Sequence, residues 1–397
     1  MQHKHPNSAI SMLIEKLKPV DSSEFAELAP GRITAEDIQA DRDSPAADVS
    51  AMDGFAFRIA ELEEHGQLPV QGECKAGCPP VPLQPRTASR IYTGAIVPQG
   101  ADLVLKREDA SESESVLKLK KPTQQLTTGD NIRKAGENAK QGNLVLAAGS
   151  CINSANAATI ANFGPSKIKL VRPLRVAIVT TGDEVGKFET SSPDPWQLRN
   201  SNLNSLLTFC AGQPWIRIAS HTHCTDKKQT IIDNFQNGLS NADAVLVTGG
   251  VSVGDYDFVP DAIGKVGAEI LFHGLPIRPG KPILGAATQE GKLILGLPGN
   301  PVSALIGCCR IGMPVLRYLA GFKEWTPRRP LIRLATPDTK TIPLTWMRLV
   351  SLNEKGDAEL CPSLGSGDLV SLGQSTGFIE IPPNECGSGP WPYFAWA

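Results

Sequence analysis

Apolar residues along this chain recur in two rhythms. Near the start, Ile10, Leu13, Ile14 and Leu17 fall at i, i+3, i+4 and i+7. That spacing predicts an amphipathic helix, capped by Asn7 or Ser8 and ended before Pro19. Residues 22–28 read as a second helix closed by Ala29-Pro30-Gly31, and 33–38 as extended or mixed chain. From 67 to 130, short apolar runs at 68–70, 88–92, 101–106 and 116–119 alternate with Pro and Gly. This predicts a small all-β module, with the acidic, serine-rich stretch 108–115 as a hairpin tip. A helical period returns over 152–163 and stops at Gly164-Pro165, and 167–171 reads as a strand.

Beyond 173 the texture changes. Apolar runs at 174–180, 215–220, 244–248, 269–273, 283–285 and 293–297 alternate with helical stretches at 200–210, 227–239, 257–266 and 300–319. Strands buried on both faces and separated by helices predict parallel βα units in three layers. In such sheets ligands sit outside the carboxyl ends of the strands. Short strands at 331–335, 345–352, 358–361 and 377–381 then predict a C-terminal β domain. The expected fold class is multidomain α/β plus β. A discontinuous helical domain takes 1–41 and 131–172, an inserted β module 42–130, a central α/β/α domain 173–325 and the C-terminal β domain 326–397.

Composition narrows the function classes. With 41% hydrophobic and 20% charged residues the chain is globular, and a net charge of −2 argues against general nucleic-acid or acidic-membrane binding. No run approaches the roughly 18 apolar residues of a membrane span, and the polar start 1–7 has no apolar signal core behind it. The nine cysteines are scattered without zinc-ribbon spacing, so they read as reduced, packed thiols of a cytoplasmic protein. His221, His223 and Cys224 alternate along a strand, which makes a metal clip there a weaker reading than half-exposed strand residues.

Candidate chemistry gathers at the strand ends. The run 244–258 ends a buried strand at Thr248 in Gly249-Gly250, continues through Ser252 and Gly254, and brings in Asp255 and Asp257 at a helix start. Backbone N–H groups of such a turn can approach an anion, and paired carboxylates suit a divalent cation that bridges a phosphate. A tight βα turn with a capping Asp reads the same stretch without a ligand. Pro298-Gly299-Asn300-Pro301, with Ser303 beyond, is a helix start with Asn300 as cap, open to an anion or simply well made. Arg278 and Lys281 flank Gly280 on a proline-stiffened segment, which suits a tetrahedral oxyanion or a solvated loop. Gly182, Asp183 and Glu184 close another strand, and Asp53 and Thr93 mark turns of the β module. There is no Walker lysine motif and no GxGxxG after a strand, so ATPase and NAD readings lack support.

Taken in order, these motifs resemble those of the molybdopterin molybdenumtransferases of the MoeA and gephyrin E-domain type. The resemblance runs through SPAADVSAMDGFA (44–56), IYTGA (91–95), GADLV (100–104), RKAGEN (133–138), TGDEV (181–185), RNSN (199–202), GGVSVGDYD (249–257), RPGKP (278–282) and LPGNPVS (297–303). It implies a molybdopterin-binding-like α/β domain. It further implies a homodimer whose cleft lies between that domain of one subunit and the β module of the other. The implied substrates are adenylylated molybdopterin and molybdate, used with Mg²⁺ to yield molybdenum cofactor and AMP. The implied partners are molybdopterin adenylyltransferase and molybdoenzymes, with no nucleic acid and no membrane. By resemblance, Asp53, Thr93, Glu184, Asp257 and Lys281 act in catalysis, with Glu184 and Asp257 nearest the metal. Gly182, Asp183, Ser201, Asn202, Thr248, Gly249, Gly250, Ser252, Gly254, Asp255, Arg278 and Gly280 bind substrate. So do Pro298, Gly299, Asn300, Pro301 and Ser303, together with Arg348 and Ser366 of the C-terminal domain.

Four positions depart from the family pattern. Asn138 replaces an Asp, Arg278 a Lys and Asp255 a Glu, and Ser375-Thr376-Gly377 replaces an Ala-Asn-Gly corner. They motivate an alternative, a weakened pterin-binding or scaffold paralogue; a third reading is a molybdopterin adenylyltransferase.

Overall fold

Val176, Ile178, Leu246 and Leu295 bury against one set of helices, and their neighbours Ala177, Val179, Val245, Val247 and Ile294 against another. Alternate residues of the same strands thus serve opposite faces, which is why these runs are apolar throughout. The computed structural model describes residues 5–120, 122–164, 167–186, 192–252, 254 and 257–396. The chain divides into two compact units, one of residues 1–36, 148–154 and 167–397, the other of 37–147 and 155–166.

The larger unit is built on a six-stranded sheet in the order Ile216–Cys224, Leu174–Thr181, Ala244–Thr248, Leu293–Leu297, Leu284–Ala287, Glu269–His273. The first four strands are parallel. The parallel βα units are thus present in the first four strands, and the last two pair antiparallel. The reason is loop length: residues 288–292 close a tight turn, with Thr288 N–H donating to Lys292 O at 2.9 Å, and so short a link joins only antiparallel neighbours. Ser201–Ala211, the helical run from Pro301 to Leu319 and the N-terminal Pro6–Ile14 contribute to one core. Lys228–Asn241 and Val259–Lys265 contribute to the other. The run Pro301–Leu319 is apolar enough to cross a membrane by length and composition, yet 83% of it is buried inside the protein. It passes through one π-helical turn, Cys308–Gly312.

A second sheet of this unit has the order Ile277–Arg278, Thr345–Leu352, Gly377–Ile381, Trp391–Ala395, Leu331–Ile332, with Ala358–Leu360 beside Thr345–Leu352. Its first strand is borrowed from the α/β region, so Arg278 lies opposite Trp346. The strand Trp391–Ala395 and the short helix Leu369–Gln374 were not expected.

The smaller unit holds a six-stranded sheet, Leu103–Lys106, Gly54–Phe57, Ala88–Ile91, Leu68–Cys74, Val116–Leu119, Ala110–Ser113. It is not all β: Ile59–His65 is a helix that buries Leu62 and ends at Gly66 with φ +70°. The hairpin expected at 108–115 turns at Glu114 and Ser115, between Ala110–Ser113 and Val116–Leu119.

Three local expectations are corrected. Residues 22–28 hold a strand, Ser23–Ala26, paired antiparallel with Ile168–Val171. Seven residues make a marginal helix, and strand pairing overrides the propensity. The first helix is capped by His5, whose side chain accepts from Asn7 N–H, rather than by Asn7 or Ser8. The helix expected at 257–266 starts at Val259, so Asp257 precedes it. Pro165 lies outside the described residues. All nine cysteines are free thiols, and burial pushes Cys210 up to about 12 and Cys309 to about 11.

Candidate functional site

The carboxyl ends of three parallel strands open into one crevice of ≈ 880 Å³. Strand Ala244–Thr248 delivers Gly249, Gly250 and Ser252 to it, strand Leu293–Leu297 delivers Pro298, Gly299, Asn300 and Pro301, and strand Leu174–Thr181 delivers Glu184. Ser201 and Asn202 enter from the start of their helix and Asp257 from the loop before Val259–Lys265.

Glycine is required where these turns meet. Gly249 has φ +88°, and a Cβ there would lie 2.7 Å from Thr181 Oγ1 and 2.8 Å from Thr181 O. A Cβ on Gly299 would stand 3.8 Å from Gly249 Cα, so the two turns face each other. Asn202 Nδ2 donates to Gly299 O at 2.7 Å and ties the helix start to the second turn. Behind the first turn, His273 Nε2–H donates to Val251 O at 2.6 Å; the carbonyl can only accept, which fixes that tautomer.

Asp257 Oδ2 accepts from Gly254 N–H at 2.6 Å, closing the loop with a carboxylate that also lines the crevice. Glu184 folds its carboxylate over Gly182, where a Cβ would meet Glu184 Oε2 at 2.6 Å. Beside it stands an acid that sequence reasoning missed. Asp226 and Asp183 clasp each other, Asp183 N–H donating to Asp226 Oδ2 at 3.3 Å and Asp226 N–H to Asp183 Oδ1 at 3.2 Å. Burial pushes the Asp226 carboxyl above its usual range, and the nearby Glu184 and Asp183 charges add to that. Its position just past strand Ile216–Cys224 was the available signal.

Two expectations about the helix start are corrected. The Asn300 side chain makes no capping hydrogen bond. The first turn is also less open to an anion than a generic one, since Pro301 has no N–H and Val302 N–H donates to Ser366 O at 3.2 Å.

Both residues of that bond line a second cavity of ≈ 560 Å³, with Arg278, Lys340, Trp346 and Arg348 among others, and their chain neighbours Pro301 and Gly367 line the crevice. Trp346 sits under two guanidinium groups, Arg348 at 4.1 Å and Arg278 at 5.9 Å from its ring centre. Asp338 pairs with Arg348, and burial pushes the Arg348 pKa down while that carboxylate works against the shift. Among the described residues Arg278 has no ion pair. Lys281 is exposed and lies outside both linings, whereas Arg278, also exposed, lies opposite Trp346 on the borrowed strand.

Gly182, Asp183, Thr248, Gly254, Gly280 and Ser303 support the turns without lining either cavity. Asp255 lies outside the described residues. In the smaller unit, Asp53 Oδ1 accepts from Thr93 N–H and Thr93 Oγ1–H, both at 2.8 Å, and these bonds hold the Asp53 carboxyl below its usual range. A Cβ on Gly54 would lie 1.8 Å from Leu105 O, so the Asp53-Gly54 corner is fixed by sheet pairing. Asn138 keeps a polar contact, its Oδ1 accepting from Arg133 Nη2–H at 2.8 Å. The weaker metal-clip reading gains nothing: His223 Nδ1 is 3.1 Å from Thr180 Oγ1, and among the described residues no three His, Cys, Asp or Glu side chains gather as a metal cage.

Residues 5–164 match the model of the MoeA N-terminal region (domain I and II), and 177–318 that of a probable molybdopterin binding domain. The chain is 30% identical to a molybdopterin molybdenumtransferase of Synechocystis sp., covering 92% of this chain and 93% of that protein. It is 32% identical to one of Haemophilus influenzae, covering 89% and 88%. A solved molybdopterin biosynthesis MoeA protein from Pyrococcus horikoshii superposes with a TM-score of 0.82 at 22% identity over 99% of both chains.

Proposed function

This chain belongs to the molybdopterin molybdenumtransferase family, an enzyme that inserts molybdenum in molybdenum cofactor biosynthesis, and from that premise we propose how its residues divide the work. The glycine turns at 249–250 and 299, with Ser252, take the phosphate end of adenylylated molybdopterin. The cavity under Arg278, Arg348 and Ser366 takes molybdate as the second substrate. The observation that carries this reading is their adjacency: Pro301 and Gly367 line the crevice, while their chain neighbours Val302 and Ser366, joined by Val302 N–H to Ser366 O, line the cavity. Two bound partners held that close react as if tethered, which by itself can supply roughly 7–11 kcal/mol of a barrier.

Arg278 has no protein counter-ion among the described residues, so its charge is free for an oxyanion, while Arg348, already paired with Asp338, orients more than it attracts. Among the described residues Glu184 and Asp257 are the acids that line the crevice, and no group of three metal-ligating side chains gathers there. Two carboxylates without a cage suit Mg²⁺, which keeps several waters and shares itself with substrate phosphate. Bound there by Glu184 and Asp257, it would neutralise the phosphoanhydride so that AMP leaves readily. Asp53 and Thr93, a preset carboxylate and hydroxyl, act from a second copy of the chain in a homodimer. Molybdopterin adenylyltransferase and molybdoenzymes are the protein partners, and the reaction runs in the cytoplasm, where the thiols stay reduced.

Incubation with adenylylated molybdopterin, molybdate and Mg²⁺ should release AMP. Asp257→Ala should lower that release at least a hundredfold with a nearly unchanged thermal melt. A parallel loss of fold, or metal-independent release, would contradict the assignment.

A further inference from the structure

Two large apolar side chains stand open among the residues that line the crevice. Leu198 and Leu369 line it with 59% and 46% of their surface exposed. Both are held rigidly. Leu198 N–H donates to Glu184 O at 2.7 Å and Leu198 O accepts from Gly186 N–H at 2.9 Å. Leu369 starts a helix capped by Asp368, whose carboxylate accepts from Val370 N–H and Ser371 N–H, both at 3.1 Å, and from Leu364 N–H at 3.0 Å. Exposed apolar side chains gain by being covered, and a backbone already held in place lowers the ordering cost of covering them.

We infer that Leu198 and Leu369 form a slot for the flat nitrogen-heteroaromatic ring of the phosphorylated substrate. The inference rests on the phosphate reading of the same crevice. A molecule anchored by its phosphate on the glycine turns extends its remaining part along the lining. A heteroaromatic ring matches what it meets there: apolar faces for the leucines and polar edges for Gln197 and Asn202, which share the lining. The ring is either the pterin or the adenine, and both have this chemistry.

Calorimetric titration of the whole protein with AMP, ribose 5-phosphate and phosphate-free neopterin tests it. In the double variant Leu198→Ser with Leu369→Ser, whose changes are exposed and should leave the melt unaltered, one ring-bearing probe should bind about tenfold more weakly while ribose 5-phosphate is unchanged. Weakened AMP identifies adenine, weakened neopterin the pterin. Equal weakening of all three probes, or of none, overturns the slot. If the unmodified protein binds neither AMP nor ribose 5-phosphate, the phosphate reading itself fails, and a surviving leucine effect on neopterin alone would show that the slot does not depend on it.

Discussion

Asp226 shows what a single side chain can add that spacing along the chain does not reveal. It stands far in sequence from Glu184, and only the parallel alignment of their strands brings the two carboxyl ends together. Burial and two like charges raise its folded pKa above the ordinary 3.8. The sign follows: an acid raised on folding costs stability while ionised, and that cost disappears as pH falls through its folded pKa. Asp226→Asn should therefore not lower the melting temperature at pH 7, and any advantage it has over the unmodified protein should shrink as pH falls from 7 to 4. In Asp226→Ala, which removes the oxygen that accepts from Asp183 N–H, AMP release should fall, because that clasp holds the turn that carries Glu184. A lowered melt together with unchanged release would make Asp226 purely structural. Legibility at this scale was uneven. Gly249 and Gly250 were readable because positive φ and the close approach to Thr181 favour glycine, whereas the stacking of Arg278 near Trp346 was not, because charge spacing says nothing about which strand a side chain faces.

At the scale of elements, strongly periodic segments were read nearly to the residue: Ala244–Thr248, Glu269–His273 and Leu293–Leu297 appear where expected. The parallel pairing of four strands was readable from the helices between them, whereas the antiparallel pairing of Leu284–Ala287 and Glu269–His273 was not, since a buried apolar strand looks alike beside either neighbour. Ser23–Ala26 shows tertiary pairing overriding local preference. The borrowed strand Ile277–Arg278 could not be foreseen from either segment alone. What sets the second sheet against the helical run is a buried ion pair. Arg310, in the π-helical turn, pairs with Glu380, the strand residue opposite Met347, and its Nη2–H also donates to Asn7 Oδ1 at 2.7 Å. Both charged side chains are buried, at 7% and 12% exposure. Arg310→Met leaves Glu380 unpaired and should destabilise by about 3–5 kcal/mol. Adding Glu380→Leu should restore most of that loss in a denaturant melt. Failure of the second change to restore stability would mean that Arg310 acts through packing alone.

For the whole molecule, the fold class and the existence of distinct β-rich and α/β regions were legible because texture changes along the chain. The number of copies at work was not. Asp53 and Thr93 belong to one compact unit, and Glu184 and Asp257 to the other. If the working enzyme is a homodimer with shared sites, mixing an inactive Asp53→Asn chain with an inactive Asp257→Ala chain should regain about a quarter of normal activity, because half the dimers are mixed and each has one intact site. No regain after verified subunit exchange would contradict sharing.

The central claim is that two glycine turns and a neighbouring cationic cavity hold the two reacting partners side by side. Crystals soaked with AMP and molybdate test it most directly. The account predicts phosphate density against Gly249, Gly250 and Gly299, and a molybdenum anomalous peak between Arg278 and Ser366. Molybdenum at a surface elsewhere, or nucleotide density away from the glycine turns, would contradict it.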